Sequence, residues 1–158
     1  MALFHPHQLR WMEHNLTDNE VPFVVIGGVA VKYHRPARKT GDVDLFVGAD
    51  PLMIDRLMAA IPALGADPNG KAKLLDHRVG HFKVTGEHNI DVLSFAPGLN
   101  FQDAYCTAEV YEVDGISIPI LNRLLLIEHK RTVGEPKDLE DVKLLEQPAA
   151  SGVSTEDR

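Results

Sequence analysis

The stretch that most constrains this chain is "PFVVIGG", residues 22–28. Four apolar residues in a row, two of them valines and one an isoleucine, end abruptly at a glycine pair. A run that short, bounded by Pro and Gly, reads as a buried strand. The short helix expected after Gly28 must end before Pro36, because the residue preceding a proline is pushed out of the helical region. "DVDLFV", residues 42–47, alternates and then runs apolar, which predicts a second strand. A strand, a short helix and a second strand, arriving early in a chain of 158 residues, point to one α/β (α+β) domain with a mixed central sheet flanked by helices.

The remaining pattern agrees with that class. Leu9, Met12 and Leu16 share one face of an N-terminal helix with Pro6 in its first turn. Asp50 and Pro51 form a cap and first position, and Ile54, Leu57, Met58 and Ile61 follow on one helical face. "DPNGK" at 67–71 is turn chemistry. "RVGHFKVTG" and "NIDVLSF" predict two strands of a hairpin turning at Gly86, Glu87 and His88, and residues 100–108 a short helix. "EVYEVDGISIPIL" predicts a hairpin with an Asp114-Gly115 turn. Two helices close the domain: "LNRLLLIEHKRTV", stopped by Gly134, and "PKDLEDVKLLE", with Leu139, Val142 and Leu145 facing inward. The domain is expected over residues 1–146. Residues 147–158, with almost nothing apolar to bury, are expected to form a disordered tail.

Composition limits the partners. A net charge of −7 argues against broad nucleic-acid binding, which needs a basic face. The single cysteine, Cys106, cannot close an internal disulfide, no apolar run reaches membrane-spanning length, and no signal-peptide pattern opens the chain. The expected compartment is the cytoplasm. The eight histidines contain no HxxxH pair, and neither Ser94 nor Ser117 lies in a GxSxG turn.

The chemistry concentrates at residues 27–47. Residues two apart on a strand share a face, so Asp42 and Asp44 are expected to present two carboxylates together while Val43 and Leu45 face the core. Adjacent carboxylates repel unless a cation lies between them, and hard oxygens in this arrangement suit Mg2+. A solvated strand face is the plainer reading of such a pair. Asp91, set among Ile90, Val92 and Leu93, is a third acid in apolar surroundings. If its strand lies beside "DVDLFV", three acids reach one face and suit phosphoryl chemistry with bound metal ions. Gly27 and Gly28 would let backbone amides approach a phosphate at a helix N-terminus. Lys32, Arg35, Arg38 and Lys39 are expected to line the lip of the site, with Arg38 best suited to grip phosphate through two parallel bonds. His34 is read as a turn residue.

Gly27-Gly28, then thirteen intervening residues, then Asp42-Val43-Asp44-Leu45, resembles the signature of the DNA polymerase beta-like nucleotidyltransferases. "RKTGDVDL" resembles the form found in small prokaryotic members and is similar to abortive-infection type nucleotidyltransferase toxins. "NIDVLSF" matches the place of the third family carboxylate, and the C-terminal Lys130 and "KDLED" resemble a helix pair of those members. The resemblance spans residues 23–145. It implies Mg2+ (or Mn2+) and transfer of a nucleoside monophosphate from a triphosphate such as ATP. Asp42, Asp44 and Asp91 would bind metal and perform catalysis. Gly27, Gly28, Arg38, Thr40, Lys130, Lys137 and Asp138 would bind the nucleotide. Glu135 stands where small members often carry an arginine. Helix-surface pairing of Lys137 with Asp141 is the competing reading of the last motif. The acceptor would be a specific RNA, a protein or a small molecule. A catalytically idle nucleotide- or partner-binding domain of a toxin–antitoxin-like module is the alternative.

Overall fold

β1 (Phe23–Ile26) is buried at every position and lies at the centre of the molecule in a computed structural model that describes residues 2–84 and 88–149. It follows α1 (Pro6–Asn15), which buries Leu9 and Met12, and a 3-10 turn over Thr17–Asn19. α2 (Gly27–His34) begins at the glycine pair and β2 (Val43–Val47) follows the basic loop. α3 (Pro51–Ala60) is capped by Asp50, whose carboxylate accepts the Met53 amide at 3.1 Å.

α4 (Pro62–Ala66) and α5 (Gly70–Leu75) come next, then β3 (His81–Val84) and β4 (Ile90–Leu93). The chain continues through α6 (Phe101–Cys106), β5 (Glu109–Val113) and β6 (Ile116–Ile120). It closes with α7 (Arg123–Val133) and α8 (Pro136–Glu146).

The six strands form one mixed sheet in the order β3-β4-β2-β1-β6-β5. β1 runs antiparallel to β2 and parallel to β6, and β2 runs parallel to β4. The edge pairs β3/β4 and β5/β6 are antiparallel. This is the expected α/β class: a mixed sheet with flanking helices. α2, α7 and α8 pack on one another, α3, α4 and α5 pack together beside β3, and α6 rests on β1. The core is continuous, with Leu45, Ile54, Leu57, Ile90, Ile118 and Leu121 among its fully buried side chains.

Several local expectations change. The expected turn forms over residues 67–69, closed by the Gly70 amide on the Asp67 carbonyl at 3.0 Å, but Gly70 and Lys71 already belong to α5, and an unexpected α4 precedes the turn. Pro62 at the first position starts α4, and only Leu64 of it is buried, so its apolar period was too short to read. Leu139 is 45% exposed rather than inward-facing, whereas Val142 and Leu145 are buried. In its place Asp138 and Asp141 turn inward from α8. Met58 is only half-buried. The β3/β4 pairing forms, while the expected turn residues Gly86 and Glu87 lie outside the described residues. Most of the expected tail, residues 150–158, lies outside them too. Gln147 is described and accepts a hydrogen bond from Arg35 through its carbonyl. Among the described residues no helix is long and apolar enough to cross a membrane.

Candidate functional site

The strand order puts β1, β2 and β4 side by side, and their registers decide which side chains meet. Asp44 is paired with Asp91 across the parallel β2/β4 ladder and with Ile26 across the antiparallel β1/β2 ladder. Neighbouring strands lie about 4.8 Å apart, so the two carboxylates leave the sheet as direct neighbours. Asp42 is exposed and precedes β2, so it is not the in-strand partner of Asp44 that residue spacing alone suggested. Its charge still acts on Asp44.

Gly27 is fitted to this acid. Its φ is +70°, and a Cβ there would stand 2.2 Å from Asp44 Oδ2. Both the left-handed backbone and the close carboxylate exclude a side chain. A Cβ at Gly28 would meet Thr40 Oγ1 at 2.7 Å and Arg38 Nη1 at 3.4 Å. The glycine pair therefore touches Asp44 on one side and Thr40 and Arg38 on the other. Five of the sequence-predicted residues converge at the start of α2.

The electrostatics are lopsided. Burial pushes the Asp44 carboxyl up to about 6, and the negative charges of Asp91 and Asp42 add to the rise, against weaker opposition from Lys130 and His81. Asp91 has a lysine and a histidine beside it that the sequence did not suggest. Lys83, its register partner on β3, is 3.6 Å away, and His81 Nε2 lies 3.2 Å from Asp91 Oδ1. Period-two alternation could have placed both on one face of β3, but only the pairing register brings them to Asp91.

Behind this acidic face lies a compensated network. Lys130 is 7% exposed, with its ammonium 3.2 Å from Asp138 and 3.0 Å from Asp141. Arg38 donates from Nε to Asp141 Oδ1 at 2.7 Å and from Nη2 to Oδ2 at 3.1 Å, a bidentate pair. Burial would raise the Asp141 carboxyl, but the hydrogen bonds from Arg38 and Lys130 overcome it and hold the group below its ordinary value. The bond to Asp141 in turn raises Arg38. Asp138 Oδ2 is buried without a hydrogen-bond partner among the described residues. Asp141 was the residue that sequence reasoning placed in a surface pair with Lys137; it is buried and pairs with Arg38 and Lys130 instead. Lys137 is exposed and lines an open cleft with Arg38, Asp141 and Lys143.

The basic loop does not act as a block. Arg35 donates to the carbonyls of Leu145 and Gln147 at the C-terminal end of α8, where Arg123 also donates to the Leu145 carbonyl. Lys32 reaches the Ala2 carbonyl at 3.4 Å. His34 is the last residue of α2, not a turn residue, and contacts the Leu121 carbonyl at 2.8 Å; burial lowers its pKa. Of the four loop cations, Arg38 is the one packed against Gly28.

Ser94 is buried on the Leu74 carbonyl, Ser117 bonds Glu112, and Cys106 is exposed. Among the described residues, no group of three or more His, Cys, Asp or Glu side chains is gathered closely enough to hold a metal ion.

One comparison falls on this region. The family model described as "Nucleotidyl transferase of unknown function (DUF2204)" matches residues 5–60. That segment carries α1, the glycine pair, Arg38, Thr40, Asp42 and Asp44, and ends with the last residue of α3. No curated protein matches the chain. Among solved structures, an antigenic nucleotidyltransferase-like protein from Paracoccidioides brasiliensis is similar at 16% identity and a TM-score of 0.48, covering 90% of this chain and 77% of that one. ANT(2")-Ia, in complex with adenylyl-2"-tobramycin, is similar at 16% identity and a TM-score of 0.47, covering 88% and 87%. At such values neither likeness assigns a substrate to this chain.

Proposed function

We propose that this chain is a divalent-metal-dependent nucleotidyltransferase that moves a nucleoside monophosphate from a triphosphate to an acceptor. The observation that carries the reading is the registered Asp44–Asp91 pair, with Asp44 packed against Gly27. The match of residues 5–60 to a nucleotidyl transferase family supports it.

The acid pair fits Mg2+ or Mn2+. Both donors supply hard oxygen, and the raised pKa of Asp44 marks a place short of positive charge. A ready three-residue cage is not required, because Mg2+ usually takes one or two carboxylates and completes its shell with water and phosphate. Asp44 and Asp91 would hold the ion, with Asp42 joining from the loop. The ion would neutralise charge on the phosphates.

The chain's own groups do the rest. The amides of Gly27 and Gly28, bare of side chains, open α2 toward the phosphates. Thr40 would contact them beside Gly28, and Arg38, whose two parallel bonds go to Asp141 rather than to phosphate, would add its charge there. Lys130 supplies fixed positive charge near Asp44, while Asp138 and Asp141 hold that ammonium still. Lys137 would meet the nucleotide from the exposed side. In the transfer, an acceptor oxygen bonds to the α-phosphorus and the bond to pyrophosphate breaks. Asp91 would take the acceptor's proton.

The test is incubation with each labelled triphosphate, Mg2+ and cell extract, alongside calorimetric nucleotide binding. A labelled product and released pyrophosphate, both lost in Asp44→Asn and Asp91→Asn, are expected. Nucleotide binding without transfer would turn the reading to an idle nucleotide-binding domain. No binding of any triphosphate would overturn it.

A further inference from the structure

Histidines that look scattered in the sequence meet beside the start of α1. His7 Nδ1 faces His88 Nδ1 at 3.3 Å, across 81 residues of chain. The His5 ring stacks on His7 with centroids 5.5 Å apart and planes within 5°. Trp11 packs against His88 with centroids 6.4 Å apart. Both facing rings are therefore held from behind by an aromatic neighbour.

The backbone under them is tied as well. Gln8 is 2% exposed, an unusual burial for an amide side chain. Its Nε2 donates to the His88 carbonyl at 2.8 Å and to the Gly41 carbonyl at 3.4 Å, and its Oε1 accepts the His5 amide at 3.0 Å. One side chain thus fixes the positions of His5 and His88 relative to each other and to α1.

The distance between the two nitrogens is informative. Two imidazole nitrogens bound to one tetrahedral zinc, each about 2.0–2.1 Å from the ion, stand about 3.3–3.4 Å apart. The observed separation equals that bite. We propose that His7 and His88 form a site for a borderline divalent ion of the zinc class, with water in the remaining positions. Imidazole nitrogen favours such ions over Mg2+, which prefers oxygen, so this site and the acid pair select different metals. His5 is exposed beside the pair, which leaves an entry path from solvent. A bound ion would join α1 to the segment leading into β4 and Asp91, reinforcing the tie Gln8 already makes. The proposal stands independently of the reading given to the acid pair.

The test is titration of the metal-free full chain, carrying no histidine tag, with Zn2+ by calorimetry and with Co2+ by visible absorption. One equivalent of Zn2+ should bind, and Co2+ should give the absorption of a low-coordinate nitrogen site. His7→Ala and His88→Ala should each weaken Zn2+ binding at least tenfold. His7→Gln serves as a second variant of the same position if the alanine form folds poorly. Asp44→Asn should leave Zn2+ affinity unchanged, and excess Mg2+ should not displace the ion. Absence of stoichiometric Zn2+ binding would overturn the proposal. So would affinity unchanged in both histidine variants, or Zn2+ binding abolished by Asp44→Asn, which would put the ion on the acid pair.

Discussion

Two pairs of aspartates on this molecule have opposite characters. Asp138 and Asp141, one helical turn apart on α8, share the buried Lys130, and Asp141 also takes both arms of Arg38. Asp44 and Asp91, adjacent on the sheet, share no such buried cation; Asp91 draws on Lys83 and His81 at the rim, and Asp44 is left with the weaker pull of Lys130. The same side-chain type is held below its ordinary pKa at position 141 and pushed up to about 6 at position 44. Burial raises both. What differs is whether the fold brings positive charge to meet it. The compensated pair is structural support for the helices behind the site. In the proposed function, the uncompensated pair is where a divalent cation would bind.

The largest expected effect comes from breaking the compensated side. Lys130→Met would leave Asp138 and Asp141 buried with only Arg38 to answer them. Removing one partner of a buried ion pair typically costs about 3–5 kcal/mol. Urea unfolding at pH 7 should show a loss of that order. A loss under 1 kcal/mol, of the order of an exposed salt bridge, would mean the network is not buried as described.

The uncompensated side should respond in the opposite direction. The folded pKa of Asp44, about 6, lies above its ordinary 3.8, so the folded state holds the proton more tightly. That contribution is complete below pH 3.8 and is lost as pH rises through 6. Asp44→Asn, neutral at every pH, avoids the loss. Without divalent ions it should be more stable than the parent at pH 8 by up to about 3 kcal/mol, and the difference should shrink on going below pH 5. Equal stability of the two proteins across that range would show that Asp44 is not strained by its neighbours.

The comparison also explains what could be read from the sequence. β1 and β2 were legible because "PFVVIGG" and "DVDLFV" carry local signals: an apolar run, a glycine stop and an alternation. The placement of Gly27 and Asp44 follows from those signals together with the β1/β2 register. The compensated network was not legible. Arg38 and Asp141 are 103 residues apart, and no local period marks Asp141 as buried. On α8 the helical period offered Leu139 to the core, but the fold turns Asp138 and Asp141 inward, because Lys130 and Arg38 are there to receive them. The basic loop was read as one cluster because charge was all the sequence displayed. Arg35 turned out to serve the end of α8, a need that arises only once the helices are packed. The His7–His88 contact escaped for the same reason: spacing rules see neighbours along the chain, not a helix meeting a segment 81 residues away.

The central claim is that Asp44 and Asp91 form a site that a divalent cation completes. The most direct measurement is the melting temperature of the parent and of Asp44→Asn at pH 7.5, followed through a Mg2+ titration. Anything that binds only the folded state raises its stability with concentration. The parent should begin less stable than the variant and rise with Mg2+, while Asp44→Asn should stay flat. A parent that does not respond, or a variant that rises equally, would contradict the claim.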